Sequence, residues 1–273
     1  MFMQLMMIVN DPRIAGYVAT GGVDRIFVDL ESLGKQERQG HRDTWLSRHT
    51  PEDVSRVREV IGSATLLVRL NPWYSGSVTE INDAIARGAD LLMLPMFRTL
   101  KEVEHFTRAV RERVPVIPLA ETAEAMAVLP QVVRMPGVTE MYIGLNDLHL
   151  SLGLRFMFEP LINGVMDRAA EQLHAANMPF GFGGLARVGE GLLPAEKILG
   201  EHVRLGSSCA ILSRTFHRQA NSLEALKTEM DFPAEVGKLR TAFQEWIGAD
   251  AQALQRNHRD VEAIIARIVG GQS

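Results

Sequence analysis

Residues 65–94, TLLVRLNPWYSGSVTEINDAIARGADLLML, contain one complete repeat of the fold. Thr65–Leu70 is a short apolar run, suited to a strand buried on both faces. Ser77–Arg87 predicts a helix that stops at Gly88. Leu91–Leu94 is a second apolar strand. Strand, helix and strand in that order indicate a parallel pair with a crossover helix.

The same alternation runs outward in both directions. Further apolar runs lie at Gln4–Val9, Arg25–Leu30, Val114–Leu119, Met141–Leu145, Phe180–Phe182 and Val203–Leu205, which makes eight. Helices are predicted at Pro51–Ile61, Thr99–Arg113, Thr122–Leu129, Pro160–Ala176 and Pro194–Gly200. Thr50 caps the first of these and Pro51 takes its first position. Leu100, Val103, Phe106 and Val110 recur at helical spacing in the second. Eight strand–helix units predict an α/β fold, the (β/α)8 TIM barrel. An open doubly wound sheet is the competing arrangement. Its first turn normally carries glycines, and Asn10-Asp11-Pro12-Arg13 has none.

Beyond the eighth unit the pattern changes. Glu235–Ile247 carries Val236, Leu239, Phe243, Trp246 and Ile247 on one face, and Asp260–Val269 carries Val261, Ile264, Ile265 and Ile268. The expected organisation is a catalytic barrel over residues 1–216 and a helical extension over 217–273. Left bare, the two stripes would form an unusually large apolar patch, so a homo-oligomer held by these helices is expected. The alternative is that they fold back over the barrel's N-terminal mouth.

Composition narrows the function. Of 273 residues, Lys and Arg number 29 and Asp and Glu 33, giving a net charge of −4. That balance excludes a strongly basic nucleic-acid binder. One cysteine, Cys209, allows no intrachain disulfide and no thiolate metal cage. The start, MFMQLMMIVNDPR, lacks the basic segment and cleavage site of a signal peptide, and no run reaches the length of a membrane span. The expected location is the cytoplasm, with a small molecule as substrate and neither nucleic acid nor membrane as partner.

In such barrels chemistry sits where strands end. Four strands here end in charge: Asp29 and Glu31 on the second, Arg69 on the third, Glu121 on the fifth and Asp147 on the sixth. Each alone has an ordinary reading as a cap or surface residue. Together on one rim they point to a site. Glu121 and Asp147 come from neighbouring strands and repel unless something positive lies between them. A hard divalent cation, Mg2+ or Mn2+, suits two carboxylates and keeps other positions for water and substrate. Arg69 would face a substrate carboxylate or developing oxyanion.

The segments GVDRIFVDLE (22–31), LVRLN (67–71), LMLP (92–95), PLAET (118–122) and IGLNDL (143–148) resemble, in order and separation, the HpcH/HpaI aldolase/citrate lyase family. The resemblance covers residues 1–216. It implies a TIM barrel that makes or breaks carbon–carbon bonds on a 2-oxo acid such as pyruvate or oxaloacetate. It implies a divalent metal on Glu121 and Asp147, an oxo-acid-binding arginine at Arg69, and a substrate-carboxylate loop at Gly144, Leu145 and Asn146; Arg69 and Glu31 are the expected catalytic residues. The aldolase branch carries a catalytic histidine directly after the second-strand glutamate; here that residue is Ser32. The citrate lyase β-subunit and malyl-CoA lyase branch fits Asp29-Leu30-Glu31, Lys35 and Arg38, but its further acid and basic residues are replaced by Ser32, Met96, Ala123 and Glu124. Metal and enolate chemistry is therefore better supported than coenzyme A. The alternatives are an acyl-CoA lyase or citrate-synthase-like condensing enzyme, and a non-catalytic barrel serving as a binding subunit.

Weaker signals complete the reading. Gly181–Gly184 and Gly206–Ser208 are placed at the ends of the last two strands, where barrels often bind phosphate. Tight packing is the plainer account of both. His149 follows Asp147 closely, and Trp73-Tyr74 is either a wall of the site or a cover for the barrel edge.

Overall fold

The computed structural model describes residues 2–34, 49–218, 220 and 222–271. Eight parallel strands close a barrel in chain order, the last pairing with the first. They are β1 (Gln4–Ile8), β2 (Arg25–Asp29), β3 (Thr65–Arg69), β4 (Leu91–Leu94), β5 (Val116–Ala120), β6 (Met141–Ile143), β7 (Phe180–Leu185) and β8 (Cys209–Leu212). Eleven α-helices lie among the described residues. The first eight are α1 (Pro12–Thr20), α2 (Pro51–Arg58), α3 (Ser77–Ala86), α4 (Leu100–Val110), α5 (Ala123–Val132), α6 (Leu145–Ser151), α7 (Val165–Ala175) and α8 (Ala195–Leu205). The last three are α9 (Leu223–Glu229), α10 (Phe232–Ile247) and α11 (Ala251–Gly270). The molecule is a TIM barrel with extra helices.

Two expectations are corrected. Val203–Leu205 is not the eighth strand; it is the last turn of α8, which ends on Gly206 at a left-handed φ of 70°. The strand follows at Cys209–Leu212, so Gly206–Ser208 enters the barrel from its N-terminal end, away from the mouth where a phosphate would bind. The helix expected over Pro160–Ala176 is two pieces, a single 3-10 turn at Glu159–Leu161 and then α7, separated by Gly164 at φ 79°.

The strands read as unbroken apolar runs because both faces are buried. Met6, Phe27, Leu67, Met93, Leu119, Tyr142 and Cys209 fill the barrel interior. Residues one position along, such as Leu5, Ile26, Val68 and Leu92, pack outward under the helices. The N-terminal end is closed by charge: Arg25 donates to both Glu140 oxygens at 2.9 and 2.8 Å. Cys209 opens β8 rather than following it, and its thiol is buried against this pair.

β7 bulges between Gly181 and Gly184, which interrupts its ladder with β8. Tyr142 repairs the gap. Its hydroxyl donates to the Gly183 carbonyl at 2.6 Å and accepts the Ile211 N–H at 3.0 Å. The ring needs glycine at 181, where a Cβ would come within 2.6 Å of it. Tyr142→Phe strands two buried backbone groups, so it is expected to cost about 1–3 kcal/mol. Urea unfolding measures this; an unchanged midpoint would remove the bridge from the account.

α9 lies against α1 and closes the ring of helices, while α10 and α11 pack on α8. Phe232 stacks edge-on to Phe216 at 5.5 Å, and Val236, Leu239, Phe243, Val261 and Ile265 are all buried within the chain. Arg240 of α10 donates to the Met3 and Gly22 carbonyls at 3.1 and 2.7 Å and to Asp24 at 2.9 Å. These five stripe residues are thus buried within the chain, while Trp246, Ile247, Ile264 and Ile268 are half-buried. No helix among the described residues is long and apolar enough to cross a membrane.

Candidate active site

Asp29 and Arg69 are partners in the β2–β3 register and both close their strands. Phe27 and Leu67, two residues earlier, fill the barrel interior, so alternation turns Asp29 and Arg69 inward at the C-terminal mouth. Arg69 Nε and Nη2 donate to the two Asp29 oxygens at 2.8 and 2.7 Å. Nη2 also lies 3.3 Å from Glu31 Oε2. Burial works against the guanidinium charge, but Asp29, then Glu31 and Glu121, outweigh it and hold Arg69 firmly protonated. One edge of the fork is thus committed to Asp29, and a substrate anion would meet the guanidinium elsewhere.

Glu121 follows β5 directly and is buried. Its Oε1 accepts the Met96 N–H at 3.0 Å. Met96 sits at a left-handed φ of 52°, uncommon for a side chain of this kind and found most often where a site demands it. On the other side, a Cβ at Gly144 would come within 2.9 Å of Glu121 Oε2, so only glycine leaves room for this carboxyl. Burial raises the Glu121 pKa to about 8; Arg69 opposes the rise, and Asp147 and Glu31 add to it.

Asp147 is the third residue of α6, half-buried, and close enough to act on Glu121. Gly144 caps that helix, Leu145 is buried in the core and Asn146 is exposed. The structure therefore gathers Glu31, Arg69, Glu121 and Asp147 into one electrostatic cluster, with Gly144–Asn146 at its edge. No group of three or more His, Cys, Asp or Glu arranged for a metal occurs among the described residues. A two-carboxylate set, one member held neutral until about pH 8, fits a hard cation that keeps water and substrate as its remaining ligands.

Other candidates fall away from the centre. His149 is buried and donates Nδ1–H to the Leu145 carbonyl at 3.2 Å, an ordinary helix contact. Trp73 stacks on His105 of α4 at 5.5 Å, covering the barrel edge. Lys35 and Arg38 lie outside the described residues. Gly181 and Gly183 serve the Tyr142 bridge.

Sequence reasoning gave no role to four contacts. His49 returns to the end of β2 and accepts the Asp29 N–H on Nδ1 at 2.9 Å. The only sequence signal was its place just before the Thr50-Pro51 helix start. Asn71 bonds the segment after Glu31, and Tyr74 donates to Glu80 at 2.7 Å, which raises its pKa to about 12. The Met96 N–H has no sequence signal, because its direction depends on the backbone.

A closed parallel barrel with charged groups buried at its C-terminal mouth is the TIM-barrel architecture. More particularly, solved structures similar to this chain include proteins of the family whose motifs it resembles. An HpcH/HpaI aldolase/citrate lyase family protein from Burkholderia cenocepacia is 17% identical with a TM-score of 0.61, over 84% of this chain and 95% of that one. The HpcH/HpaI aldolase from Desulfitobacterium hafniense is 15% identical with a TM-score of 0.63, over 86% and 95%. The citrate lyase β-subunit from M. tuberculosis, complexed with oxaloacetate and magnesium, is 15% identical with a TM-score of 0.61, over 89% and 97%. No family profile and no curated protein matches the chain. Identities this low establish a common fold.

Proposed function

We propose that the protein is a divalent-metal-dependent carbon–carbon lyase or aldolase acting on a 2-oxo acid through an enolate. The observation that carries this reading is Glu121, a buried carboxyl crowded by Asp147 and Glu31 and facing Arg69. Such a group is a poor structural residue and a good cation ligand. The citrate lyase β-subunit of the same fold, complexed with oxaloacetate and magnesium, supports the choice of ligand and metal.

Glu121 and Asp147 would hold the cation, which supplies Lewis-acid polarisation of a 2-oxo acid. Glu121 is kept in place by the Met96 N–H and by the absence of a side chain at Gly144. Arg69 meets the oxygen that gains charge as the bond to the 2-oxo acid breaks or forms. Asp29 fixes its plane, so little reorganisation is needed when that charge develops. Glu31 balances the arginine when no substrate anion is present. The start of α6 at Gly144–Asn146 would take the substrate carboxylate.

Two assays test this with Mg2+ or Mn2+: decarboxylation of oxaloacetate, and exchange of the pyruvate methyl hydrogens with deuterium by NMR. Both report enolate stabilisation without knowledge of the acceptor. Metal-dependent turnover in either is expected. Its absence in both, at millimolar metal and substrate, would overturn the reading in favour of a non-catalytic barrel.

A further inference from the structure

Asn71 lies two residues after Arg69 and is 6% exposed. Its side chain is engaged in two directions. Oδ1 accepts the Ser32 and Leu33 N–H groups at 2.8 and 2.9 Å and the Ser32 hydroxyl at 3.3 Å. Nδ2 donates to Glu80 Oε1 at 2.7 Å. The Tyr74 hydroxyl donates to the same oxygen. Among the described residues, no hydrogen-bond donor meets the buried Glu80 Oε2. A buried carboxylate oxygen without a donor is unfavourable, and such exceptions call for a reason. The reason here is that Asn71 and Tyr74 hold the other oxygen and keep the carboxylate from turning to water.

We infer that Asn71, oriented by Glu80, is a positioning residue for Glu31; the inference rests on the mouth being the active site proposed above. Gripping two consecutive N–H groups fixes the peptide directly after Glu31. The Glu31 carboxylate is thereby held 3.3 Å from Arg69. β3 thus holds the end of β2 twice, through the charge of Arg69 and through the neutral amide of Asn71. An amide is required because one side must accept and the other must donate. A carboxylate at 71 would satisfy Ser32 and Leu33 but repel Glu80.

The test exchanges the two groups. Asn71→Asp should lower kcat for oxaloacetate decarboxylation at least tenfold, with KM and the Mg2+ dissociation constant within twofold. Adding Glu80→Gln should bring kcat back to within threefold of the parent, because amide and carboxylate then complement each other again in reversed order. A purely structural role would lower the melting temperature and leave kcat per folded molecule unchanged. Full activity in folded Asn71→Asp, or no recovery in the double variant, overturns the inference. Should Asn71→Asp not fold, Glu80→Ala replaces it: kcat is expected to drop threefold or more, and an unchanged value overturns the role. Hydrogen exchange at the Ser32 and Leu33 amides reads the clasp without any activity. Rapid exchange in the parent would refute the clasp itself. Protected amides in a parent protein without turnover would instead refute the proposed function, and the positioning role with it.

Discussion

Arg69→Ala is expected to reduce oxaloacetate decarboxylation by roughly a hundred- to a thousandfold. It should also destabilise the fold by about 3–5 kcal/mol, the usual result of removing one partner from a buried ion pair. Both effects have one origin. Asp29 and Glu31 have side chains only 7% and 2% exposed, and Arg69 lies 2.7 and 3.3 Å from them. Without it, two carboxylates lose the charge that offsets their burial, and the developing oxyanion loses its donor. Arg69 also lowers the Glu121 pKa, so its loss makes the metal compete harder with a proton. Arg69→Lys separates the effects. It keeps the charge and most of the stability, but an ammonium cannot fork to Asp29, so turnover should still fall at least tenfold. Urea unfolding and steady-state kinetics on both variants give the answer. A lysine variant as active as the parent would sink the assignment.

Metal binding should release a proton. Burial holds the Glu121 carboxyl neutral up to about pH 8, against an ordinary value of 4.5. Below pH 8 a cation must displace that proton, so its apparent affinity should rise about tenfold per pH unit and level off above. Calorimetry in buffers of different ionisation enthalpy should count close to one proton released per Mg2+ at pH 6.5 and almost none at pH 9. Glu121→Gln should abolish the release and weaken Mg2+ by roughly a hundredfold or more. Stability follows the same linkage with the opposite reading. Between pH 4.5 and 8 the folded state holds a proton that the unfolded chain has lost. Metal-free stability should therefore fall as pH rises through that window, and saturating Mg2+ should restore it. Metal affinity independent of pH from 6 to 9 would refute the raised Glu121 pKa, and unchanged Mg2+ affinity in Glu121→Gln would show that Glu121 is not a ligand.

The barrel was legible because its strands are buried on both faces and its helices on one. β4 matches its predicted bounds, and β1, β2 and β3 differ from theirs by one residue. The eighth strand was not legible. Leu205 continues the buried face set by Ile198, Leu199 and His202, with Val203 half-buried beside it, but two buried polar residues, Glu201 and His202, interrupt the apolar pattern of α8. A three-residue apolar run has no period of its own, so helix and strand cannot be told apart there. At the mouth, the charges were legible as residue types at strand ends. Their pairing was not. Asp29 and Glu31, two residues apart, share one face of an extended chain, but that both would meet the same arginine was not readable from either strand alone. The Asn71 and His49 bonds join residues 38 and 20 positions apart, and no local pattern encodes them.

The Arg240 contacts bear on how the chain is made. β1 leaves the ribosome first, yet Gln4 pairs with Cys209, and the Met3 carbonyl waits for Arg240. Until β8 emerges, β1 therefore offers an unpaired edge, the kind that recruits other strands. Contacts between the two ends of a long chain form slowly, and aggregation competes during that interval. A nascent chain that has released β8 but not α10 can close its sheet while Met3, Gly22 and Asp24 still face water at the floor. The floor of the barrel is completed only by α10, so the earliest strand is secured late.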